Sequence, residues 1–187
     1  MKSSSDKGLA FFQAIIGDFK TANVLICCFA KPRERWQAAY DDNKKMIESV
    51  NNEAVLSFQN ANQENFIDQV DWADVLVFLG GSTKDLIDKL RKAEGWEKNL
   101  THKIVVGSSA GAYMLSWNYL ITGSVPRLAP GLGLLPVVIA THYRSTFIHN
   151  GDIDKSRIFW DKVDKLMELE ANGREVVVLK EGDFLIL

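Results

Sequence analysis

Short apolar runs rich in β-branched residues alternate along the chain with longer segments in which apolar residues recur every three or four positions. The short runs predict strands at residues 23–30, 53–58, 74–80, 103–107, 136–142 and 175–180. The longer segments predict helices at residues 8–20, 33–50, 62–70, 83–94, 110–120 and 154–171. Several strand runs are continuously apolar, as in a parallel sheet that is covered on both faces. The alternation predicts an α/β sandwich, and the length predicts a single domain over residues 1–187.

Composition and charge narrow the class of protein. Hydrophobic residues make up 47% of the chain and charged residues 25%, which is typical of a globular protein. The formal net charge of −2 gives no basic surface for nucleic acid or an anionic membrane, so we expect neither partner. The two cysteines, Cys27 and Cys28, are adjacent in an apolar run, which is typical of reduced core residues. The N-terminal apolar residues recur at helical spacing rather than as an export signal, and we expect a cytoplasmic protein.

Reactive side chains follow several of the predicted strands. Gly80–Thr83, Ser108–Ser109, His142 and Glu181 each come directly after an apolar run. Because sites in open α/β sheets form at the carboxyl ends of the strands, we expect these residues to lie at one rim.

Ser109 is the candidate nucleophile. Gly107–Gly111 fits the pattern G-x-S-x-G, in which a sharp strand-to-helix turn holds the serine hydroxyl clear of the backbone. A helix that starts near Ala110 would direct backbone N–H groups toward the same point. The alternative is an ordinary turn and cap, since Gly and Ser also form these. Ser108 competes as nucleophile, but it lacks glycine spacing on both sides.

His142 is the candidate general base among three histidines. His102 precedes a strand at the end opposite the rim, and His149 lies in a polar loop, whereas His142 ends an apolar strand. The alternative for His142 is a buried histidine with a purely structural role. At the rim, it would accept the Ser109 proton and later donate it to the leaving amine.

The position of the acid disfavours the α/β-hydrolase class. No Asp or Glu occurs between Ser109 and His149, whereas α/β-hydrolases place their acid between the serine and the histidine. Glu181, directly after the last strand run, is the best-placed residue to orient His142. The other candidates are Asp152, Asp154 and Asp183, of which the first two also fit a loop and helix cap.

Gly80–Thr83 is the candidate oxyanion loop. Glycine lets the backbone approach a substrate closely, so the Gly81 N–H could pair with that of Ala110. Alternatively, Ser82 or Thr83 merely caps the next helix, and both roles are compatible. No spacing of His and Cys indicates a metal, and we expect no cofactor.

These segments resemble a known family. GSSAGA at residues 107–112 resembles the nucleophile motif of the peptidase E (aspartyl dipeptidase) family of serine peptidases, which includes cyanophycinases. Gly80–Thr83 is similar to the family's glycines followed by Asn-Thr, Thr141–Tyr143 to its Pro-His-aromatic segment, and Glu181–Gly182 to its late Glu-Gly pair. An early Trp-x-x-x-Tyr is matched by Trp36 and Tyr40. The resemblance spans most of the chain.

The resemblance implies a fold and a mechanism. The fold would be a three-layer α/β/α sandwich with a mostly parallel sheet, similar to class I glutamine amidotransferases. The triad would be Ser109, His142 and Glu181, acting on small peptides through an acyl-enzyme. The departures are Leu79 and Ser82, which stand where the family's oxyanion motif has Gly and Asn.

Substrate selectivity depends on basic groups. Aspartyl dipeptidases hold an acidic side chain with basic residues, and Arg127, Arg144 and Arg157 are the candidates here. Dipeptides with N-terminal Asp are therefore among the expected substrates. The alternatives are a catalytically inactive relative that binds a small ligand or partner, and an amidotransferase-like amide hydrolase, which the serine in place of cysteine disfavours. The sequence leaves the oligomeric state open.

Overall fold

The computed structural model describes residues 4–50, 53–123, 125–145 and 153–187. Contacts within the chain group it into two compact units, Met1–Gly111 and Ala112–Leu187. Each unit contains one four-stranded sheet. The expectation of a single domain over residues 1–187 stays a prediction.

The first unit contains a fully parallel sheet. Its strands are β1 Thr21–Cys27, β2 Val55–Asn60, β3 Val75–Phe78 and β4 Ile104–Gly107, in the order β2-β1-β3-β4. Its helices are α1 Ser4–Ile16, α2 Trp36–Val50, α3 Phe66–Trp72 and α4 Thr83–Leu90, with 3-10 turns at Arg33–Arg35 and Trp96–Asn99. Helix α5, Ala110–Leu115, follows β4 and runs into the second unit.

Helices cover both faces of this sheet. On one face, Val24 and Ile26 of β1 belong to the same buried cluster as Phe12 of α1 and Ile47 of α2. Strands β1 and β3 are buried along nearly their whole length, which explains their continuous apolar runs.

The other face is covered by aromatic side chains. The Phe78 ring at the end of β3 lies 5.5 Å from the Trp96 ring, which in turn contacts Phe66 of α3 at 5.7 Å. Trp96 and Phe66 are buried, so this face contributes a second apolar layer to the first unit.

The second unit contains a mixed sheet. Its strands are β5 Ser116–Ile121, β6 Arg127–Pro130, β7 Leu135–Ala140 and β8 Glu175–Val178, in the order β6-β5-β7-β8. Strands β5, β7 and β8 are parallel, and β6 pairs with β5 in the antiparallel sense. Helix α6, Ile153–Glu170, packs Trp160 and Val163 against Val138 and Ala140 of β7.

Two sequence predictions are wrong in this region. The helix predicted at 110–120 ends at Leu115, and β5 follows at once. Trp117, Tyr119 and Ile121 favour a strand, and the buried Ser116 hydroxyl donates to the Tyr113 carbonyl at 2.9 Å where the helix ends. No element was predicted between residues 120 and 136, where the chain forms β6. The predicted α/β class with mostly parallel strands is confirmed.

Within the described ranges, no helix is both long enough and apolar enough to cross a membrane.

Candidate active site

Ser109 lies on the tight turn between β4 and α5. Its φ of +50° is unusual for a residue with a side chain, and it marks an abrupt change of backbone direction. The Ser108 N–H donates to the Phe78 carbonyl at 3.0 Å, and the Gly111 N–H donates to the Ser108 carbonyl at 2.9 Å. The turn is therefore fixed on both sides of the serine.

Glycines allow close packing around this turn. A Cβ added at Gly111 would lie 2.2 Å from the Phe78 carbonyl oxygen, so only glycine lets α5 approach the end of β3 this closely. A Cβ added at Gly80 would lie 3.2 Å from the Ser109 Cβ. The backbone after β3 thus passes directly beside the candidate nucleophile.

Gly81 has a backbone that only glycine adopts readily. Its φ is +147°, and an added Cβ would lie 2.3 Å from the Ala30 carbonyl oxygen. The next residue, Ser82, donates its N–H to that same carbonyl at 2.8 Å. The Ser82 hydroxyl accepts from the Asp85 N–H at 3.2 Å as the N-cap of α4, so the predicted capping role is confirmed.

Ala110 is the first residue of α5, so its N–H has no partner within the helix. Gly81, Ser109 and Ala110 all belong to the first unit. The sequence-predicted nucleophile and both oxyanion candidates are therefore on the same unit.

His142 and Glu181 are in direct contact in the second unit. Nδ1 of His142 lies 2.5 Å from Oε1 of Glu181. The His142 side chain is 36% exposed and that of Glu181 is 63% exposed, so both can reach solvent. Water screens such a pair, so the contact contributes little to stability.

Backbone hydrogen bonds fix the segments that carry these two residues. The Leu179 N–H donates to the Ala140 carbonyl, and the Tyr143 N–H donates to the Leu179 carbonyl, both at 2.9 Å. The β7–β8 pairing thus continues past the last strand residues. His142 has a φ of +56°, so the chain turns sharply at the histidine itself.

The other predicted candidates are placed differently. Asp183 donates its backbone N–H to the Lys180 carbonyl, whereas it is the Glu181 carboxylate that contacts His142. His149 and Asp152 lie outside the described residues, and so does the side chain of Asp154. His102 is exposed before β4, as predicted.

Arg144 is already paired with a carboxylate. Its Nη2 lies 2.7 Å from Oδ2 of Asp164 on α6, and its Nε donates to the Tyr143 hydroxyl at 3.0 Å. The Tyr143 hydroxyl donates to the other Asp164 oxygen at 2.7 Å. Burial, and then the bond to Asp164, raises the pKa of Tyr143.

Arg127 and Arg157 are exposed, at the start of β6 and on α6 respectively. Neither forms an ion pair with another described residue.

Tyr113 was not identified from the sequence. Its hydroxyl accepts from the Thr141 N–H at 3.2 Å and donates to the Thr141 carbonyl at 3.3 Å. Its ring stacks on Tyr119 at 4.9 Å. The sequence offers one signal, a tyrosine four residues after the candidate nucleophile, but the partner is 28 residues away.

No group of three or more His, Cys, Asp or Glu side chains in the described part of the chain is arranged to hold a metal ion. Both cysteines are buried and unpaired with each other. Burial raises the pKa of Cys28 to about 11 and raises that of Cys27 as well.

Residues 6–187 match the sequence model of Peptidase family S51. The chain resembles a Listeria monocytogenes EGD-e protein named as a peptidase E, with a TM-score of 0.63 and 18% identity over 96% of this chain and 88% of that chain. It also resembles a peptidase from an acI-B1 Actinobacterium, with a TM-score of 0.54 and 19% identity over 84% of this chain and 70% of that chain. No curated protein matches the chain. The two structural resemblances support the α/β fold.

Proposed function

Since the chain belongs to Peptidase family S51 and is a serine peptidase, we propose that Ser109 is its nucleophile, His142 its general base and Glu181 the residue that orients the imidazole. The family resemblance that the sequence predicts is confirmed. The observation that carries the proposed triad is the 2.5 Å contact between His142 Nδ1 and Glu181 Oε1.

The contact has a direct consequence for proton transfer. When Nδ1–H is donated to the Glu181 carboxylate, the lone pair of the neutral imidazole is on Nε2. Nε2 would then accept the Ser109 proton as the hydroxyl oxygen attacks the scissile carbonyl. The same nitrogen returns the proton to the leaving amine, and the acyl group stays on Ser109.

The local backbone supports Ser109 as the nucleophile. A serine at φ +50°, between a strand and a helix and flanked by small residues, has the features of a nucleophile elbow. Ser108, by contrast, uses both its backbone N–H and its carbonyl in hydrogen bonds that fix the turn.

Gly81 and Ala110 would stabilise the negative charge that develops on the substrate oxygen. Preorganised backbone N–H groups serve this role because they need no rearrangement as the charge forms. Ser82 replaces the family's Asn, but its hydroxyl is used as the cap of α4. The proposed oxyanion hole therefore depends on backbone groups alone. Water then attacks the acyl-enzyme with His142 again acting as the base, which releases the acid product and free Ser109.

The proposed substrates are small peptides, including dipeptides with N-terminal Asp. Selectivity for an acidic side chain would need an arginine, and Arg127 and Arg157 are the exposed candidates. Arg144 would contribute less, because Asp164 already neutralises much of its charge.

Hydrolysis of a dipeptide library by the wild type, Ser109→Ala and Ser108→Ala tests the proposal. The expected result is a fall in kcat/KM of at least about 10³-fold for Ser109→Ala only. Ser108→Ala is the matched control, because it removes a hydroxyl from the same turn. Full activity of Ser109→Ala would contradict the mechanism. A folded wild type that cleaves no peptide would favour a binding protein, the alternative that the changes at Leu79 and Ser82 support.

A further inference from the structure

Thr141 follows β7 at a point where the pairing with β5 has already ended. The pairing of β5 with β7 ends at Tyr119 and Ile139, two residues before Thr141. On the opposite side, β8 continues to pair through Ala140 and Leu179. Since the N–H and C=O of successive strand residues point to opposite sides, those of Thr141 face the β5 side, where the described part of the chain pairs no strand backbone with them.

The Tyr113 hydroxyl forms the two hydrogen bonds to Thr141 that a neighbouring strand would otherwise form. It accepts from the Thr141 N–H at 3.2 Å and donates to the Thr141 carbonyl at 3.3 Å, so one side-chain group satisfies both backbone groups. Thr141 is 6% exposed, and water would replace these two hydrogen bonds poorly.

The contact between Tyr113 and Thr141 lies immediately before His142, the proposed general base. Thr141 is followed by His142, where the backbone turns to φ +56° and the imidazole meets Glu181. The β8 side of this segment is fixed by backbone bonds, and the β5 side is fixed by Tyr113.

We propose that Tyr113 is a positioning residue that holds the His142 imidazole in register with Glu181. This inference rests on the proposed function for its catalytic consequence, but not for its structural one. Tyr113 does not touch the reacting atoms in this account; it acts through the backbone of Thr141.

The chemistry of the tyrosine fits this role. Burial raises the pKa of the Tyr113 hydroxyl, so it stays protonated and keeps its hydrogen for the Thr141 carbonyl. Phenylalanine would keep the ring stack on Tyr119 but would leave the Thr141 N–H and carbonyl without partners. The segment would then shift until water reached them.

Tyr113→Phe tests the inference, with Tyr119→Phe as the matched control in the same ring stack. The first readout is the tautomer of the imidazole, read from its signals in ¹⁵N NMR at alkaline pH. His142→Ala identifies the His142 signal. We expect the wild type and Tyr119→Phe to hold His142 as the Nδ1–H tautomer, and Tyr113→Phe to show a mixture of both tautomers. The second readout is steady-state kinetics, with kcat about tenfold lower and KM unchanged in Tyr113→Phe.

The readouts separate the two ways in which this account could fail. If wild-type protein shows no turnover, the proposed function fails, and the tautomer of His142 still decides the role of Tyr113. If Tyr113→Phe has the wild-type tautomer and kcat, the positioning role is wrong. Should Tyr113→Phe not fold, amide exchange in the wild type decides instead: slow exchange at Thr141 supports the contact with Tyr113, and fast exchange there contradicts it.

Discussion

His142 and Glu181 meet through Nδ1 and Oε1 at 2.5 Å, although 39 residues separate them along the chain. Neighbouring parallel strands bring them together, because Ala140 of β7 pairs with Val178 of β8 and the pairing continues to Leu179. The sheet register thus sets the geometry of the proposed base and its partner.

Glu181→Gln removes the negative charge of this pair while keeping its shape. The amide still has an oxygen that can accept from Nδ1–H, but it stabilises the imidazolium that forms during attack less well. Because the Glu181 side chain is 63% exposed, we expect a fall in kcat of about 10- to 100-fold, modest for a triad acid. Asp183→Asn, two residues away, should retain wild-type kcat. Equal kcat values for Glu181→Gln and Asp183→Asn would show that Glu181 has no role in the mechanism.

Asp164→Asn releases Arg144 from its carboxylate partner. The guanidinium then carries an unbalanced positive charge two residues after His142, which favours acidic peptides. We expect kcat/KM for an N-terminal Asp peptide, relative to its Asn isostere, to rise about three- to fivefold. Glu168→Gln, on the same helix, is the control. An unchanged ratio in Asp164→Asn would show that Arg144 does not contact the substrate.

Gly81→Ala tests the backbone of the proposed oxyanion loop. A Cβ at φ +147° would clash with the Ala30 carbonyl oxygen, so we expect the free energy of unfolding to fall by about 1–3 kcal/mol. Because the Gly81 N–H would move, kcat should fall by about 10- to 100-fold in protein that remains folded. At Gly123, an added Cβ meets, among the described residues, only the Val125 carbonyl oxygen at 3.8 Å, and Gly123→Ala should change stability by less than about 0.5 kcal/mol. Wild-type kcat in folded Gly81→Ala would contradict the assignment.

The buried thiol of Cys28 predicts a loss of stability at alkaline pH. Its pKa is about 11 in the folded chain, whereas an unfolded cysteine titrates near 8.5. As the pH rises above about 8.5, the unfolded chain releases this proton first, and the free energy of unfolding falls until the folded thiol also titrates. Urea unfolding at about pH 8 and about pH 10.5 should therefore show a smaller pH-dependent loss for Cys28→Ala than for the wild type. Identical losses would contradict the raised pKa.

Strands β1 and β3 could be predicted because both of their faces are buried, which gives continuous apolar runs in the sequence. Strand β5 could not, because the residues from Tyr113 to Ile121 are mostly apolar at every spacing, and helix and strand periods are then indistinguishable. Strand β6 could not be predicted either, because Pro126 precedes it and Pro130 ends it, and proline argues against a strand. Proline is tolerated here because β6 lies at the edge of its sheet.

A candidate site residue could be predicted from the sequence where its position follows directly from the end of a strand. His142 and Glu181 follow neighbouring parallel strands, and this rule brings them into contact. The bond from Tyr113 to Thr141 and the pairing of Arg144 with Asp164 depend instead on turn geometry and on the docking of α6. Neither leaves a local pattern in the sequence.

The most direct test of the central claim is the intact mass after exposure to a fluorophosphonate, measured for the wild type, Ser109→Ala and His142→Ala. This reagent forms a covalent adduct with a serine that a neighbouring base has activated. We expect one adduct on the wild type and none on either variant. An adduct that persists in Ser109→Ala, or its absence from folded wild-type protein, would contradict the claim that His142 activates Ser109.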